Sequence, residues 1–303
     1  MSEAEGGELR VDARPELRRP VLVASFEGWN DGGHGASLAG SFLAKAWSAE
    51  KFAEIDPERF FDFSSTRPQV SLVEGKVRRI DWPENTFHYA RLEEATQDAV
   101  LLLGSEPSLR WRTFCSLVTG LAGDLGVELV VTLGSLLADV PHTRPSPVTA
   151  SASDPGLVER LGVQRSRYEG PTGIVGVLHE AFRTAGIPSL SLWAAVPHYV
   201  SMTPSPRAAK ALCDRLSELI DVPLDTSELE VESEVYVEQV SEAVAADEDT
   251  AAYVDELESR ADEIEEEPDL PSGDALAAEL TRFLREREQN DGGDGPVARD
   301  DGP

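Results

Sequence analysis

Two histidines each follow a proline: His142 in Val140-Pro141-His142-Thr143-Arg144 and His198 in Val196-Pro197-His198-Tyr199. Imidazole titrates near neutral pH, so either could act as a general acid or base. Three arginines, Arg110, Arg144 and Arg167, offer guanidinium forks that match the oxygens of a phosphate-like anion. Glu106 and Glu169 add carboxylates close to Arg110 and Arg167 in the chain. Trp29, Asn30 and Asp31 stand together in Glu27-Gly28-Trp29-Asn30-Asp31-Gly32-Gly33, and Trp111 and Tyr168 add further aromatic faces. This set suits an anionic or nucleoside-like ligand. Each member also has a plainer role. Asn30 and Asp31 can cap a following helix, Trp29 and Trp111 can cover the core, and a Pro-His pair can be a turn.

No familiar catalytic signature accompanies these residues. The sequence lacks GxSxG, GxxxxGK[ST] and GxGxxG, so no nucleophile elbow, P-loop or dinucleotide fingerprint is signalled. Cys115 and Cys213 are the only cysteines, and both lie in apolar helical patterns. They are expected as small core residues. No CxxC or HxxxH spacing offers a zinc site. No metal, cofactor or catalytic residue is expected from motifs.

The candidate residues collect where apolar runs end. Strands are expected at 21–26, 52–55, 70–73, 77–81, 87–90, 99–103, 129–133, 148–150 and 189–195. Helices are expected at 35–47, 109–125, 154–161, 173–185 and 207–220, with Asp154-Pro155 as a helix start and Gly126, Gly162 and Gly186 as helix ends. The runs at 99–103, 129–133 and 189–195 are apolar throughout, as strands buried on both faces of a mainly parallel sheet are. Strand–helix alternation points to the same α/β class, a sheet between helix layers. Ligands bind such sheets beyond the carboxyl ends of the strands. The segments after residues 26, 103, 133 and 195, and the one before 173, are therefore expected to converge on one rim.

The chain has 303 residues, 41% of them hydrophobic, enough for one large α/β domain with an appendage. A net charge of −29 disfavours nucleic acid and anionic membrane as partners. No run of about 18 apolar residues suggests a membrane span, and the acidic start Met1-Ser2-Glu3-Ala4-Glu5 does not look like a signal peptide. The expected location is the cytoplasm. Residues 1–19 read as a flexible arm and 20–222 as the α/β core. Residues 223–289 read as an acidic helical extension packed on the core, and 290–303 as a disordered tail. Between Asp225 and Asp269 stand 19 acidic residues and one arginine, with apolar residues at helical intervals, and a last helix is expected over Asp274–Glu288.

The stretch "VLVASFEGWNDGGHGASLAGSFLAKAW" (21–47) resembles the opening strand–turn–helix of the PAC2 family, named for proteasome assembly chaperone 2. "LGSEPSLRWRTF" (103–114), "LGSLLADVPHTRPSPVTASASDP" (133–155), "SRYEGPTGIVGVLHEAF" (166–182) and "IPSLSLWAAVPHYV" (187–200) resemble its actinobacterial branch. The resemblance implies a three-layer core with a mixed, mostly parallel sheet, similar to the purine nucleoside phosphorylase type. It also implies homo-oligomers, trimers above all. Relatives in eukaryotes and archaea are chaperones that bind proteasome α-subunits, and the resemblance carries no catalytic residue over. Such chaperones often end in a hydrophobic-Tyr-any motif. This sequence ends Arg299-Asp300-Asp301-Gly302-Pro303, so docking by a C-terminal tail is not expected.

The leading reading is a non-enzymatic, homo-oligomeric protein-binding factor in proteasome assembly, with proteasome subunits as partners. The alternative is an enzyme or ligand-binding protein holding a nucleoside- or phosphate-like anion at the rim. Under a third reading, the rim aromatics and arginines serve contacts between subunits.

Overall fold

The computed structural model describes residues 7–73, 77–152, 154–162, 164–165, 168–200 and 204–266. In chain order the strands are β1 (Leu9–Val11), β2 (Val21–Glu27), β3 (Glu50–Ile55), β4 (Gln69–Val73), β5 (Val77–Asp81), β6 (Asn85–Ala90), β7 (Ala99–Ser105), β8 (Leu129–Ala138), β9 (Val148–Ala152), β10 (Gln164–Arg165) and β11 (Ser189–Pro197). The helices are α1 (Gly35–Ala46), α2 (Trp111–Asp124), α3 (Pro155–Leu161), α4 (Ile174–Ala185), α5 (Pro206–Ile220), α6 (Ser227–Ala245) and α7 (Glu248–Glu266).

The apolar runs are the centre of the sheet. Its order is β1-β3-β6-β7-β2-β8-β11-β9-β10, and the four central strands β7, β2, β8 and β11 are parallel. Antiparallel pairs flank them, β6 on β7 at one side and β9 on β11 at the other. Helices cover both faces. Phe42 and Leu43 of α1 and Leu212 and Leu216 of α5 pack with Val23 and Leu101 on one face. Phe114 and Val118 of α2 and Leu178 and Phe182 of α4 pack with Leu22 and Phe26 on the other. Alternate residues of one strand thus serve opposite cores, which is why the central strands show no polar alternation. Cys115 and Cys213 are free and buried in these cores, and burial pushes the Cys115 thiol up to about 12.

Local signals act as expected. Asp154 Oδ1 accepts the Leu157 N–H at 2.9 Å with Pro155 opening α3, and Gly126, Gly162 and Gly186 take left-handed conformations after α2, α3 and α4.

Three differences from the sequence reading stand out. Leu9–Val11, placed in the flexible arm, forms an edge strand paired antiparallel with β3. Further along the same arm, Arg18 Nη2 meets Asp98 Oδ1 at 2.7 Å. Both contacts come from residues far along the chain, which no local pattern shows. β10 is only two residues, too short for any periodicity. Third, β4 and β5 pair with each other, as the two β-forming runs on either side of Glu74-Gly75-Lys76 signal for a hairpin, but they do so as a two-stranded sheet apart from the main one.

Helices α6 and α7 account for the described part of the acidic extension. Leu229 of α6 joins the core beside α5, and Tyr236, Val240, Val244 and Val254 form a small cluster with Tyr199 and Val200. The helix expected over Asp274–Glu288 and the tail after it lie outside the described residues.

Gly104 of β7 shows how closely the sheet end is packed. A Cβ there would meet the Glu84 carbonyl, Asn85 Oδ1 at 2.6 Å and Asn85 Cα at 2.8 Å. Much of that is backbone, which cannot step aside. Gly104→Ala is expected to lower folding stability by about 2 kcal/mol. Gly123→Ala on α2, where nothing lies within 4 Å, should raise it by about 0.5–1 kcal/mol. Urea midpoints at constant slope check the pair.

Candidate functional site

The carboxyl ends of the parallel strands carry the polar residues, and the contacts of the eleven described candidates, all but Arg167, fall into separate sets. They divide into three groups, and the division follows which distant element reaches each one.

The first group is the turn after β2. The Asp31 N–H bonds the Gly28 carbonyl at 3.1 Å and closes the turn. Asp31 Oδ1 accepts from the N–H groups of Ala36 (2.8 Å) and Ser37 (3.2 Å) and from Ser135 Oγ (3.2 Å), while Oδ2 accepts from Ser37 Oγ at 2.6 Å. A buried carboxylate thus fills the positive end of α1 and ties it to β8. The Asn30 carbonyl accepts the Ser135 N–H at 2.9 Å. Glu106, just past β7, does for α4 what Asp31 does for α1. Its Oε1 accepts the Ile174 N–H at 2.7 Å and its Oε2 the Trp29 N–H at 3.3 Å. Gly173 lets the helix come this close, since a Cβ there would meet Asn30 Nδ2 and, at 2.6 Å, Glu106 Oε1. Trp29 itself is exposed.

The second group lies after β8 and β11. His142 is buried, with Nδ1 at 2.9 Å from Tyr199 Oη and Nε2 at 2.9 Å from Ser241 Oγ of α6. The Tyr199 hydroxyl also accepts the His142 N–H at 2.8 Å. Burial holds the His142 imidazole below its usual range and pushes the Tyr199 hydroxyl up to about 12. Arg144 grips Asp262 of α7 at 2.7 and 2.9 Å in a fork and lies 3.8 Å from Glu258, which Thr143 also bonds. His198 Nδ1 lies 3.2 Å from Asp139 Oδ1. The His198 ring meets Tyr199 and Tyr253 edge-on.

The third group is separate again. Arg110 opens α2, pairs with Glu8 at 2.5 Å and lies over the Phe60 ring. Trp111 Nε1 donates to the Pro107 carbonyl. Tyr168 Oη donates to the Pro171 carbonyl at 2.8 Å, Glu169 is exposed, and Arg167 lies outside the described residues.

This arrangement binds the fold together. Asp31 and Glu106 have their carboxylates committed to helix ends. His142 has both ring nitrogens occupied, and α6 and α7 cover it. No cluster of three or more His, Cys, Asp or Glu could hold a metal among the described residues. No helix among them is long and apolar enough to cross a membrane. The sequence reading missed Ser241, Tyr253, Glu258 and Asp262, which lie on α6 and α7. Nothing near them in the sequence signals that they face His142 and Arg144.

A family model described as the PAC2 family matches residues 25–244. Among solved structures, a PAC2 family protein from Streptomyces avermitilis is 48% identical, with 78% of this chain and 99% of that one covered and a TM-score of 0.71. A proteasome-assembly chaperone homologue from Mycobacterium tuberculosis is 43% identical, with 77% and 99% covered and a TM-score of 0.70. A second Mycobacterium tuberculosis protein, described as of unknown function, is 28% identical, with 94% and 99% covered and a TM-score of 0.82. No curated protein matches the chain in sequence.

Proposed function

This chain belongs to the PAC2 family, and on that premise we propose that it is a non-enzymatic, homo-oligomeric factor that binds proteasome subunits during their assembly. The observation that supports this most is the 43% identity to a proteasome-assembly chaperone homologue across 99% of that protein. The rim chemistry agrees. Its acids and its buried histidine are committed to helix ends and interhelix contacts, whereas the exposed groups, Trp29 and Leu109 among them, suit a protein surface.

The test uses the full chain and the proteasome α-subunits encoded in the same genome. Native mass spectrometry of the mixture should show a defined complex, and α-subunit rings should accumulate faster than without the chain. Separate α-subunits and separate chain across the micromolar range would overturn the proposal.

A second reading places a nucleoside- or phosphate-like anion at the rim, and one observation favours it. Asn30 Nδ2 and both amide atoms of Asn85 are buried without a hydrogen-bond partner among the described residues, although buried amides normally have one. The same spectra discriminate. A stoichiometric small molecule on the chain, lost in Asn30→Ala, supports the ligand; a bare chain removes it.

A further inference from the structure

Two surfaces of this chain are apolar, exposed and opposite in charge. The first is the β4–β5 hairpin. Val70 pairs with Ile80 and Leu72 with Arg78, so these four side chains share one face of the two-stranded sheet. Val70, Leu72 and Ile80 are 62%, 62% and 53% exposed. A two-stranded hairpin bonded to no other strand is marginal in water, and this one leaves its apolar face uncovered. Its charge is unusual for the chain. Strands β4 and β5 hold two basic residues, Arg78 and Arg79, and one acidic residue, Asp81, which pairs with Arg79 at 2.6 Å, in a protein whose net charge is −29.

The second surface is the outer face of α6. Val231 and Val235, one turn apart, are 61% and 48% exposed and lie side by side on the helix. Glu232 and Glu238 flank them. Helix α6 carries six glutamates and no lysine or arginine. Its opposite face is the one that packs, through Leu229, Tyr236 and Val240. Within one chain neither surface covers the other, since both stay exposed.

We propose that the β4–β5 hairpin of one copy docks on the outer face of α6 of a second copy. Val70, Leu72 and Ile80 cover Val231 and Val235, and Arg78 reaches the flanking glutamates. Hairpin-on-hairpin and α6-on-α6 contacts would each oppose like charges. The contact therefore joins unlike patches, which close by reciprocal exchange in a dimer or head to tail in a ring. This rests on the self-association in the proposed function and assigns it a surface.

The test is complementation between two full-length variants, read as mass in solution by light scattering. One carries Leu72→Glu with Ile80→Glu, the other Val231→Lys with Val235→Lys. Wild type should run as an oligomer and each variant alone at the mass of one chain. Their equimolar mixture should run at twice that mass, because one intact hairpin still meets one intact α6. Wild-type mass in either variant, or no complex in the mixture of chains with native circular dichroism, overturns the contact and leaves the α-subunit experiment unaffected. A monomeric wild type removes this contact together with self-association. Charge reversal is a milder check should a variant fail to fold. Arg78→Glu and Glu238→Arg should each weaken association about tenfold, and mixing the two should recover part of the loss. No weakening by either one overturns the pairing.

Discussion

Replacing Asp31 by alanine is expected to remove about 4 kcal/mol of folding stability, a large share of what a domain this size has to spare. The carboxylate is buried and accepts from two backbone N–H groups and two hydroxyls. Bonds to a charged acceptor contribute about 1.5–3 kcal/mol each, and the donors left behind are themselves enclosed. The loss is not confined to α1. Ser135 belongs to β8, and Asp31 also forms a parallel bridge with it, so one substitution loosens a helix and a central strand together. Asp31→Asn keeps an acceptor oxygen but loses the charge, and about half the deficit is expected. Glu169→Ala, at an exposed position, should change stability by less than about 0.5 kcal/mol. Urea denaturation of the three variants checks this. A loss below about 1 kcal/mol in Asp31→Ala would mean that the carboxylate is not what holds the turn.

That result would also bear on what the turn Glu27-Gly28-Trp29-Asn30-Asp31-Gly32-Gly33 is for. A residue poised for chemistry is often unfavourably held in the fold and its removal tolerated, whereas a structural cap is costly to remove. The hydrogen bonds of Asp31 place it in the second class.

The elements were legible in the sequence where local physics decides them. Ala99–Ser105, Leu129–Ala138 and Ser189–Pro197 are strands because uninterrupted apolar residues need burial on both faces. Asp154 and the glycines at 126, 162 and 186 punctuate helices through the conformations they favour. The placement of the candidate residues was less legible, because their partners are remote in the chain. Nothing around Arg110 shows that Glu8 will meet it. Nothing around His142 or Arg144 shows that Ser241 and Asp262 will arrive from about a hundred residues further on. Strand ends can be read from a sequence, but what covers them depends on how the acidic helices return over the sheet. The same holds for the hairpin. "QVSLV" and "VRRID" have β-forming character, yet only the fold shows that they pair apart from the main sheet and stay exposed.

The largest pH effect is expected from a histidine that the motifs did not single out. His179 of α4 packs against the sheet, with Nε2 at 3.0 Å from Thr132 Oγ1 and Nδ1 at 2.8 Å from Ser189 Oγ. Either hydroxyl can donate or accept, so the neutral ring is satisfied in both tautomers. The charged ring is penalised by burial, which lowers the pKa from the ordinary 6.5 to about 4. A histidine whose folded pKa lies below its unfolded one contributes stability that is whole above the unfolded value and is lost as pH falls through the folded value. The window here runs from about 6.5 down to about 4, and each unit is worth about 1.4 kcal/mol, so about 3 kcal/mol is at stake. His142 is shifted the same way by its own burial, so wild type alone would report the sum. His179→Gln isolates one site, because an amide can keep a bond to a hydroxyl and does not titrate. The stability of wild type minus that of His179→Gln should fall by about 3 kcal/mol between pH 7 and pH 4 in urea titrations. A difference that stays flat would mean that water reaches the ring, and that α4 is less firmly seated on β8 and β11 than its packing indicates.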